Sequence, residues 1–537
     1  MPRDRTLPIF DLEVELAAAA TSENARVVIE APTGSGKSTQ VPQFLADSGV
    51  CREEEIYVLQ PRRLAARMLA KRVSEERETT LGQEVGYQVR FENVVSSSTR
   101  IRFVTEGILI RKLIGDPELK GVGAVVLDEF HERNFFGDIS LARCLEVQKE
   151  RRPDLKLVVM SATLEAAPLT EYLGKGCHLL RSEGRTFPVE IHYHPSRQRH
   201  RDHLWDLASR ALKDHIKQHG LEGHVLIFMP GKYEIQKTSQ TLRKASWANH
   251  FDIHELYGEL PPAKQDEAVS SSSRPKIVIA TNVAETSVTI EGVTLVIDSG
   301  LERRSAFDHR RAITTLHIET ISKASADQRA GRAGRTAPGH AIRLWSERDQ
   351  EQRSSSTPAE IHRMDLTEAI LVLAAGGVAS LRSFPWFEPP DSRGIDEAVS
   401  RLQILGALDA SEQLTPVGKK ISQFPVSPRY GRILLAGAEA GCLEFAALIS
   451  AISQSRPIFP KQKREAAHLM PEDFSSADDV SDFQPLIRAW RQMKENGFSR
   501  DVGHRLGIHA GACRDVERVA SQLIRIANRW SETSTTA

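Results

Sequence analysis

The sequence predicts an α/β protein with two tandem parallel-sheet domains, followed by a small helical domain with a wing and then a helical bundle. Three observations predict it. Short apolar, β-rich runs alternate with longer helix-period stretches from about residue 15 to residue 350, the pattern of βαβ units that build a parallel sheet. The runs fall into two sets, so two sheets are expected. After Thr357 the strand signal gives way to amphipathic helical spacing.

The first set is residues 26–30, 56–59, 124–127 and 157–160, and the second is 225–228, 276–280, 295–297 and 341–344. Each is a short run rich in Val, Ile and Leu, as strands buried on both faces require. A basic, His-rich segment at 192–201, with Pro195, interrupts the pattern and marks the join. Serine clusters at 96–98, 270–273 and 354–356 read as surface loops. Helices are expected over 366–375 and 395–408, a turn at 414–418, and helical sequence from 432 to 530 before a frayed end at 531–537. The expected domains are 1–192, 193–356, 357–428 and 429–537, in keeping with a length of 537 residues.

The 71 basic and 71 acidic side chains cancel, which excludes a polybasic binder and leaves local patches open. With 40% hydrophobic and 26% charged residues, extended disorder is excluded too. Cys51, Cys144, Cys177, Cys442 and Cys513 stand far apart without a CxxC pair, so neither a zinc ribbon nor a disulfide framework is indicated. Residues 1–13 lack a signal-peptide core, and no apolar run nears the 18 residues of a membrane span. A cytoplasmic protein is expected.

Three motifs carry chemistry. The run 26–30 leads into Ala31-Pro-Thr33-Gly34-Ser35-Gly36-Lys37-Ser38-Thr39. This is the phosphate-binding loop (P-loop) pattern, with Ala31 in the first glycine position. Gly34 and Gly36 let backbone N–H groups turn toward phosphate oxygens, Lys37 adds a point charge, and Ser38 offers a hydroxyl to Mg²⁺. Asp128-Glu129-Phe-His131 closes the run 124–127. There Asp128 can hold Mg²⁺ while Glu129 polarises an attacking water. Gln328-Arg-Ala-Gly331-Arg332-Ala-Gly334-Arg335 puts three arginines on a Gly-spaced helix face, which self-repels unless it meets an anion. Arg332 and Arg335 suit arginine fingers, and Gln328 can position the water. Together these place ATP between two α/β lobes, with hydrolysis coupled to their closure.

With these motifs in hand, the chain resembles a DEAH/DExH-box helicase of superfamily 2, most like the bacterial HrpB type. Further segments follow the family's order: Gln60-Pro-Arg62-Arg63-Leu-Ala-Ala66, Gly86-Tyr-Gln-Val-Arg-Phe-Glu92, Thr105-Glu-Gly107, Ser161-Ala-Thr163, Gly184-Arg-Thr-Phe-Pro188, Leu226-Ile-Phe-Met-Pro-Gly231 and Ala280-Thr281-Asn-Val-Ala-Glu-Thr-Ser287. The resemblance implies two RecA-like domains, a winged-helix domain and a ratchet-like bundle. It implies an NTP-dependent RNA helicase moving 3′ to 5′ on single-stranded RNA. Arg62, Arg63, Thr105, Thr281 and Thr289 would grip the strand's backbone, which fits five basic and no acidic residues between positions 60 and 72. His131, Ser161 and Thr163 would couple the ATP site to strand movement. A hairpin over 299–320, with Arg303, Arg304, Arg310 and Arg311, would separate strands.

Two departures stand out. Arg72 matches the arginine that stacks on adenine, but Val269 takes the place of the aromatic opposite, so other NTPs are expected to serve nearly as well as ATP. The resemblance also implies an oligonucleotide-binding module after the bundle, and no segment of this sequence is expected to form it. Two alternatives stay open: a DNA translocase, because backbone grip does not read the sugar, and an RNA-binding scaffold with a vestigial ATPase, against which Lys37, Glu129, Gln328, Arg332 and Arg335 all speak.

Overall fold

The computed structural model describes residues 3–533 except 91, 163–165, 185–186, 196–201, 287–288, 309–312, 379, 425 and 460–470. Thr163, Arg310 and Arg311 therefore lie outside the described residues. The chain divides into two compact units, Met1–Asp365 with Ser383–Gly394, and Leu366–Arg382 with Ile395–Ala537.

The first unit opens with α1 (Glu13–Thr21), β1 (Arg26–Glu30), α2 (Lys37–Asp47), β2 (Glu55–Gln60), α3 (Arg63–Glu76), β3 (Val85–Val89), β4 (Glu92–Val94) and β5 (Ile101–Thr105). It continues through α4 (Glu106–Gly115), β6 (Val122–Leu127), α5 (Phe135–Glu150), β7 (Lys156–Ser161), α6 (Ala166–Leu173) and β8 (Cys177–Arg181). The strands form one sheet in the order β4-β3-β5-β2-β6-β7-β1-β8, parallel throughout except for the β3–β4 pair. Val27, Val28 and Ile29 of β1 are buried among strands on both sides. Burying each such side chain stabilises the fold by about 1.5–3 kcal/mol. Because β1, β7 and β6 run parallel, their carboxyl ends open on one edge of the sheet, the edge where α/β folds bind ligands.

The second sheet is built by β9 (Val189–Tyr193), α7 (Leu204–His219), β10 (His224–Phe228), α8 (Lys232–Lys244), β11 (Asp252–Leu256), α9 (Pro262–Val269), β12 (Lys276–Ala280) and β13 (Val293–Asp298). Then come β14 (Leu301–Asp308), β15 (Ile313–Thr320), α10 (Lys323–Ala330), β16 (Gly339–Arg343) and α11 (Glu347–Gln352). Its order is β11-β12-β10-β13-β16-β9, all parallel, and β14 and β15 pair separately as an antiparallel hairpin. The sequence pattern shows neither β9 nor β11. Both are edge strands, and their sequences, Val-Glu-Ile-His-Tyr and Asp-Ile-His-Glu-Leu, mix polar residues into the run because one side faces solvent. The second sheet thus begins at Val189, ahead of the basic 192–201 segment.

The second unit contains α12 (Thr367–Ala375), most of α13 (Ser392–Ile404), α14 (Pro416–Ser422), α15 (Pro428–Glu439), α16 (Leu443–Gln454), α17 (Phe483–Glu495), α18 (Arg500–Arg505) and α19 (Ala510–Thr533). A single antiparallel bridge, Leu408 to Leu414, forms the wing. Thr415 then caps α14 by accepting from Gly418 N–H, with Pro416 at the first helical position. Gly418 has to be glycine, since a Cβ there would stand 2.1 Å from Ala407 O. In the bundle, Trp490 of α17 packs under α19 and donates from Nε1 to Cys513 O at 3.2 Å. Among the described residues, no helix is long and apolar enough to cross a membrane.

Candidate nucleotide site and interlobe cleft

The loop 31–36 leaves the carboxyl end of β1, and Ala31 N–H donates to Ser161 O at the end of β7. That bond fixes the loop's start on Ser161. Gly34 and Gly36 both have φ of +92°, a conformation that costs an L side chain strain. A Cβ on Gly36 would also press on Leu7 Cδ1 at 2.9 Å. Lys37 begins α2 with its side chain 3% exposed and its Nζ 3.6 Å from Glu129 Oε1.

Asp128 and Glu129 follow β6. Gln60 Nε2 donates to Asp128 Oδ2 at 2.7 Å, and Glu129 N–H donates to Asp128 Oδ1 at 2.9 Å. Burial, and then the neighbouring Glu129 charge, push the Asp128 carboxyl up to about 6, while Lys37, Ser38 and Gln60 pull the other way. Burial also opposes the Glu129 charge, but Lys37, Arg332 and Arg335 outweigh it and hold that carboxyl below its usual range. His131 Nδ1 accepts from Ala162 N–H at 3.4 Å, leaving Nε2 3.5 Å from Glu129 Oε2. Burial keeps this imidazole below its ordinary pKa, hence neutral near pH 7.

From the second lobe come the arginines. The α-helix α10 stops at Ala330, and a 3₁₀ turn over Gly331–Gly334 replaces the continuous helix the spacing predicts. The glycine permits it: a Cβ on Gly334 would fall 2.5 Å from Phe187 O. The turn sends the arginines to different tasks. Arg329 is 1% exposed and pairs with Glu285 at 2.8 Å and Asp298 at 3.0 Å. Arg332 Nε donates to Glu285 O at 2.7 Å. Arg335 reaches the phosphate loop, its Nε 3.4 Å from where a Cβ on Gly34 would sit, and donates from Nη1 to Thr289 Oγ1 at 2.9 Å. Burial lowers the Arg335 guanidinium to about 10, still charged near pH 7.

Around the loop, Ser35 Oγ, Glu129 Oε2 and Arg335 Nε are buried without a hydrogen-bond partner. Unsatisfied donors and acceptors cost about 1–3 kcal/mol each. Two of them beside Lys37, Ser38 and a carboxylate pair fit a polyphosphate with a divalent metal.

Behind the site lies a cleft of about 1170 Å³ between the two sheets. Arg62, Arg63, Thr281, His131 and Gln328 line it, whereas Thr105 and Thr289 do not. Thr105 instead precedes α4 as its N-cap, and Thr289 is taken up by Arg335. Arg62 spans the lobes, donating to Asn282 O and pairing with Glu132 at 3.1 Å, and Glu132 in turn accepts from the Thr286 hydroxyl. Arg72 donates to Glu76 Oε1 at 2.7 Å. Glu76 Oε2 also accepts from Gln40 and Gln43 of α2. Helices α3 and α9 face each other through Arg67 and Asp266 at 3.0 Å, and Val269 packs with Met68 against the apolar cluster that includes Leu64.

Sequence reasoning misses several lining residues. Glu360 and Glu388 bring carboxylates into the cleft, and Glu106, whose carboxyl burial holds protonated near pH 7, lines it beside them. Ser355 and Ser356, read as a bland loop, also line it, and Ser354 O and Ser355 O accept from the first N–H groups of α10. The segment Ser383–Gly394 returns to the first unit through Phe387, whose ring lies 4.5 Å under the Arg133 guanidinium, and through Glu388, 3.0 Å from Arg133. The only sequence signal for it is the unusual aromatic pair Trp386-Phe387.

Comparison with known proteins adds the following. Residues 15–171 match the DEAD/DEAH box helicase family, and residues 208–337 match the helicase conserved C-terminal domain. The winged-helix and ratchet-like parts of the helicase associated domain (HA2) match residues 398–426 and 427–499. The chain is 37% identical over 498 residues to the ATP-dependent RNA helicase HrpA of Escherichia coli, covering 91% of this chain and 38% of that one. It is 36% identical over 536 residues to the pre-mRNA-splicing factor ATP-dependent RNA helicase prp22 of Schizosaccharomyces pombe, covering 98% and 45%. It therefore spans less than half the length of these relatives. The crystal structure of Escherichia coli DEAH/RHA helicase HrpB superposes with a TM-score of 0.78 at 35% identity, covering 92% of this chain and 61% of that one.

Proposed function

The chain belongs to the DEAH-box helicases, and we propose that it is an ATP-driven RNA helicase that hydrolyses ATP between its two α/β lobes and moves 3′ to 5′ along one strand. The observation that carries this reading is Arg335, a second-lobe arginine set against Gly34 of the first lobe's phosphate loop. A site completed by both lobes ties hydrolysis to their relative position.

In this reading, the backbone N–H groups of residues 33–39 and the Lys37 ammonium bind the phosphates. Ser38 and Asp128 would hold Mg²⁺, which would supply charge neutralisation for the leaving phosphate. Glu129, kept ionised by its cationic neighbours, takes the proton of the attacking water. His131, with Nε2 3.5 Å from Glu129 Oε2, joins the coupling of the ATP site to strand movement, and Gln328 orients the water. Arg332 and Arg335 meet the charge that builds on the transferred phosphoryl group. Arg72 stacks on the base from one side.

Strand contact falls to the cleft, where Arg63, Arg62 and Thr281 lie. The Arg62–Glu132–Thr286 bridge is the physical link by which a change at the Asp128–His131 loop moves the strand-contacting segment 281–286. Ser161 belongs to the same relay, since its carbonyl holds the phosphate loop. RNA rather than DNA is favoured because HrpA and prp22 are named RNA helicases. A cytoplasmic location belongs to the same proposal.

Unwinding of matched RNA duplexes bearing a 3′ or a 5′ single-stranded tail tests it. ATP-dependent opening of the 3′-tailed duplex alone is expected. Opening of the 5′-tailed duplex alone, or of neither, overturns the reading.

A further inference from the structure

The edge of the second sheet holds a cluster that the nucleotide chemistry does not use. Glu190 and His192 stand two residues apart on β9, so their side chains share a face. Beside them on β16, His340 pairs in register with Glu190. Above, α7 presents His215 and His219, one helical turn apart, with their rings 4.9 Å from each other. The His340 ring lies 4.8 Å from His215, 5.3 Å from His219 and 5.4 Å from His192. Four imidazoles and a carboxylate thus meet from three elements.

We infer that Glu190, His192 and His340 form a binding site for a divalent transition-metal ion of the zinc class, with His215 and His219 beside it. Ligand atoms around a tetrahedral ion with bonds of about 2.0–2.1 Å stand roughly 3.3–3.4 Å apart. Here His192 Nε2 is 3.2 Å from His340 Nδ1. Glu190 Oε1 is 3.6 Å from His192 Nε2, and Glu190 Oε2 is 3.6 Å from His340 Nδ1. All the donor atoms lie within 4.8 Å of one another. Each imidazole aims a ring nitrogen at the other, and each carboxylate oxygen faces one of them. One shared proton can join the two rings, but a metal ion satisfies both nitrogens and the carboxylate at once.

The donor set selects the ion. Imidazole with carboxylate suits Zn²⁺, Co²⁺, Ni²⁺ or Cu²⁺, whereas Mg²⁺ prefers oxygen alone. The site therefore does not compete for the Mg²⁺ of ATP hydrolysis. Its place in the fold gives it a consequence. β9 is the edge strand through which the chain enters the second lobe, and just before it Phe187 N–H donates to Gly334 O at 2.9 Å. An ion joining β9 to β16 pins that strand, and with it the wall behind the turn that carries Arg335.

The test uses the full chain, without a histidine tag and stripped of metal by a chelator. Zn²⁺ is titrated calorimetrically, and Co²⁺ by its visible absorption. One ion per chain is expected, with a Co²⁺ spectrum of nitrogen and oxygen ligands and a rise in Tm on adding Zn²⁺. The His192→Ala and His340→Ala variants should each lose at least about tenfold in affinity, and so should Glu190→Gln, which changes an exposed side chain and leaves folding intact. Absence of Zn²⁺ binding by the parent chain overturns the assignment. So does stoichiometric binding that Glu190→Gln and the folded histidine variants leave unchanged.

Discussion

Lys37 Nζ stands 3.6 Å from Glu129 Oε1, and the two side chains are only 3% and 4% exposed. In the proposed mechanism Lys37 binds phosphate and Glu129 activates water, and here the two neutralise each other. On that reading, a nucleotide that draws Lys37 toward its phosphates frees Glu129 for its water. Removing either partner leaves a buried charge without its main counterpart, and such losses are severe.

Lys37→Ala and Glu129→Gln should therefore abolish turnover while leaving strand binding largely intact. Arg335→Ala should lower kcat by about 10³–10⁵-fold, the range for arginine fingers. Steady-state ATP hydrolysis alongside RNA binding by fluorescence anisotropy separates the two effects. A normal kcat in Arg335→Ala contradicts its place against the phosphate loop.

Charge removal at Arg63 should weaken RNA binding and lower the slope of log K against log salt by about 0.7 for each phosphate no longer neutralised. Arg62→Ala should do this and also reduce RNA-stimulated turnover, because Arg62 joins Glu132 to Asn282 across the lobes. Binding isotherms over a salt series check both. An unchanged slope in the double variant removes these residues from the strand-binding surface.

Nucleotide choice follows from Arg72 and Val269. With Val269 packed into an apolar cluster and no aromatic at that position, the base has one stacking surface. The values of kcat/KM for ATP, GTP, CTP and UTP should lie within about tenfold of one another, since a single cation–π contact from a solvent-accessible arginine is worth roughly 0.5–1 kcal/mol. A larger preference for ATP would show that other groups read the base.

Glu106 sets a pH dependence. Burial, together with Glu360, Glu132 and Asp138, pushes its carboxyl up to about 8 from an ordinary 4.5, despite the Asn134 amide bond. A raised folded-state pKa favours the protonated form. Its stability contribution is therefore full below pH 4.5 and is lost as pH rises through about 8. Urea midpoints measured across that window should fall more steeply for the parent than for Glu106→Gln. Parallel profiles contradict the assignment.

The catalytic motifs are legible in the sequence because each is local: a strand, a turn and a helix start within about ten residues. The strands buried on both faces are legible for the same reason, as unbroken apolar runs. What the sequence hides is the partnership between distant segments. Thr289 reads as a strand-gripping residue, yet it holds Arg335, 46 residues away. Arg62 reads as a free phosphate binder, yet it pairs with Glu132, 70 residues on. Glu132 itself shows no sign of its role except its place after His131. Edge strands such as β9 lack the apolar run, and the histidines they carry come together only when β9, α7 and β16 assemble. The return of Phe387 to Arg133 is likewise a tertiary event, without a local period to announce it.

The most direct test of the central claim is steady-state ATP hydrolysis by the full chain without nucleic acid, with single-stranded RNA, and with single-stranded DNA of matched sequence. A low basal rate, raised by RNA and far less by DNA, is the predicted result. No turnover under any condition, or equal stimulation by DNA, would contradict an RNA-driven motor.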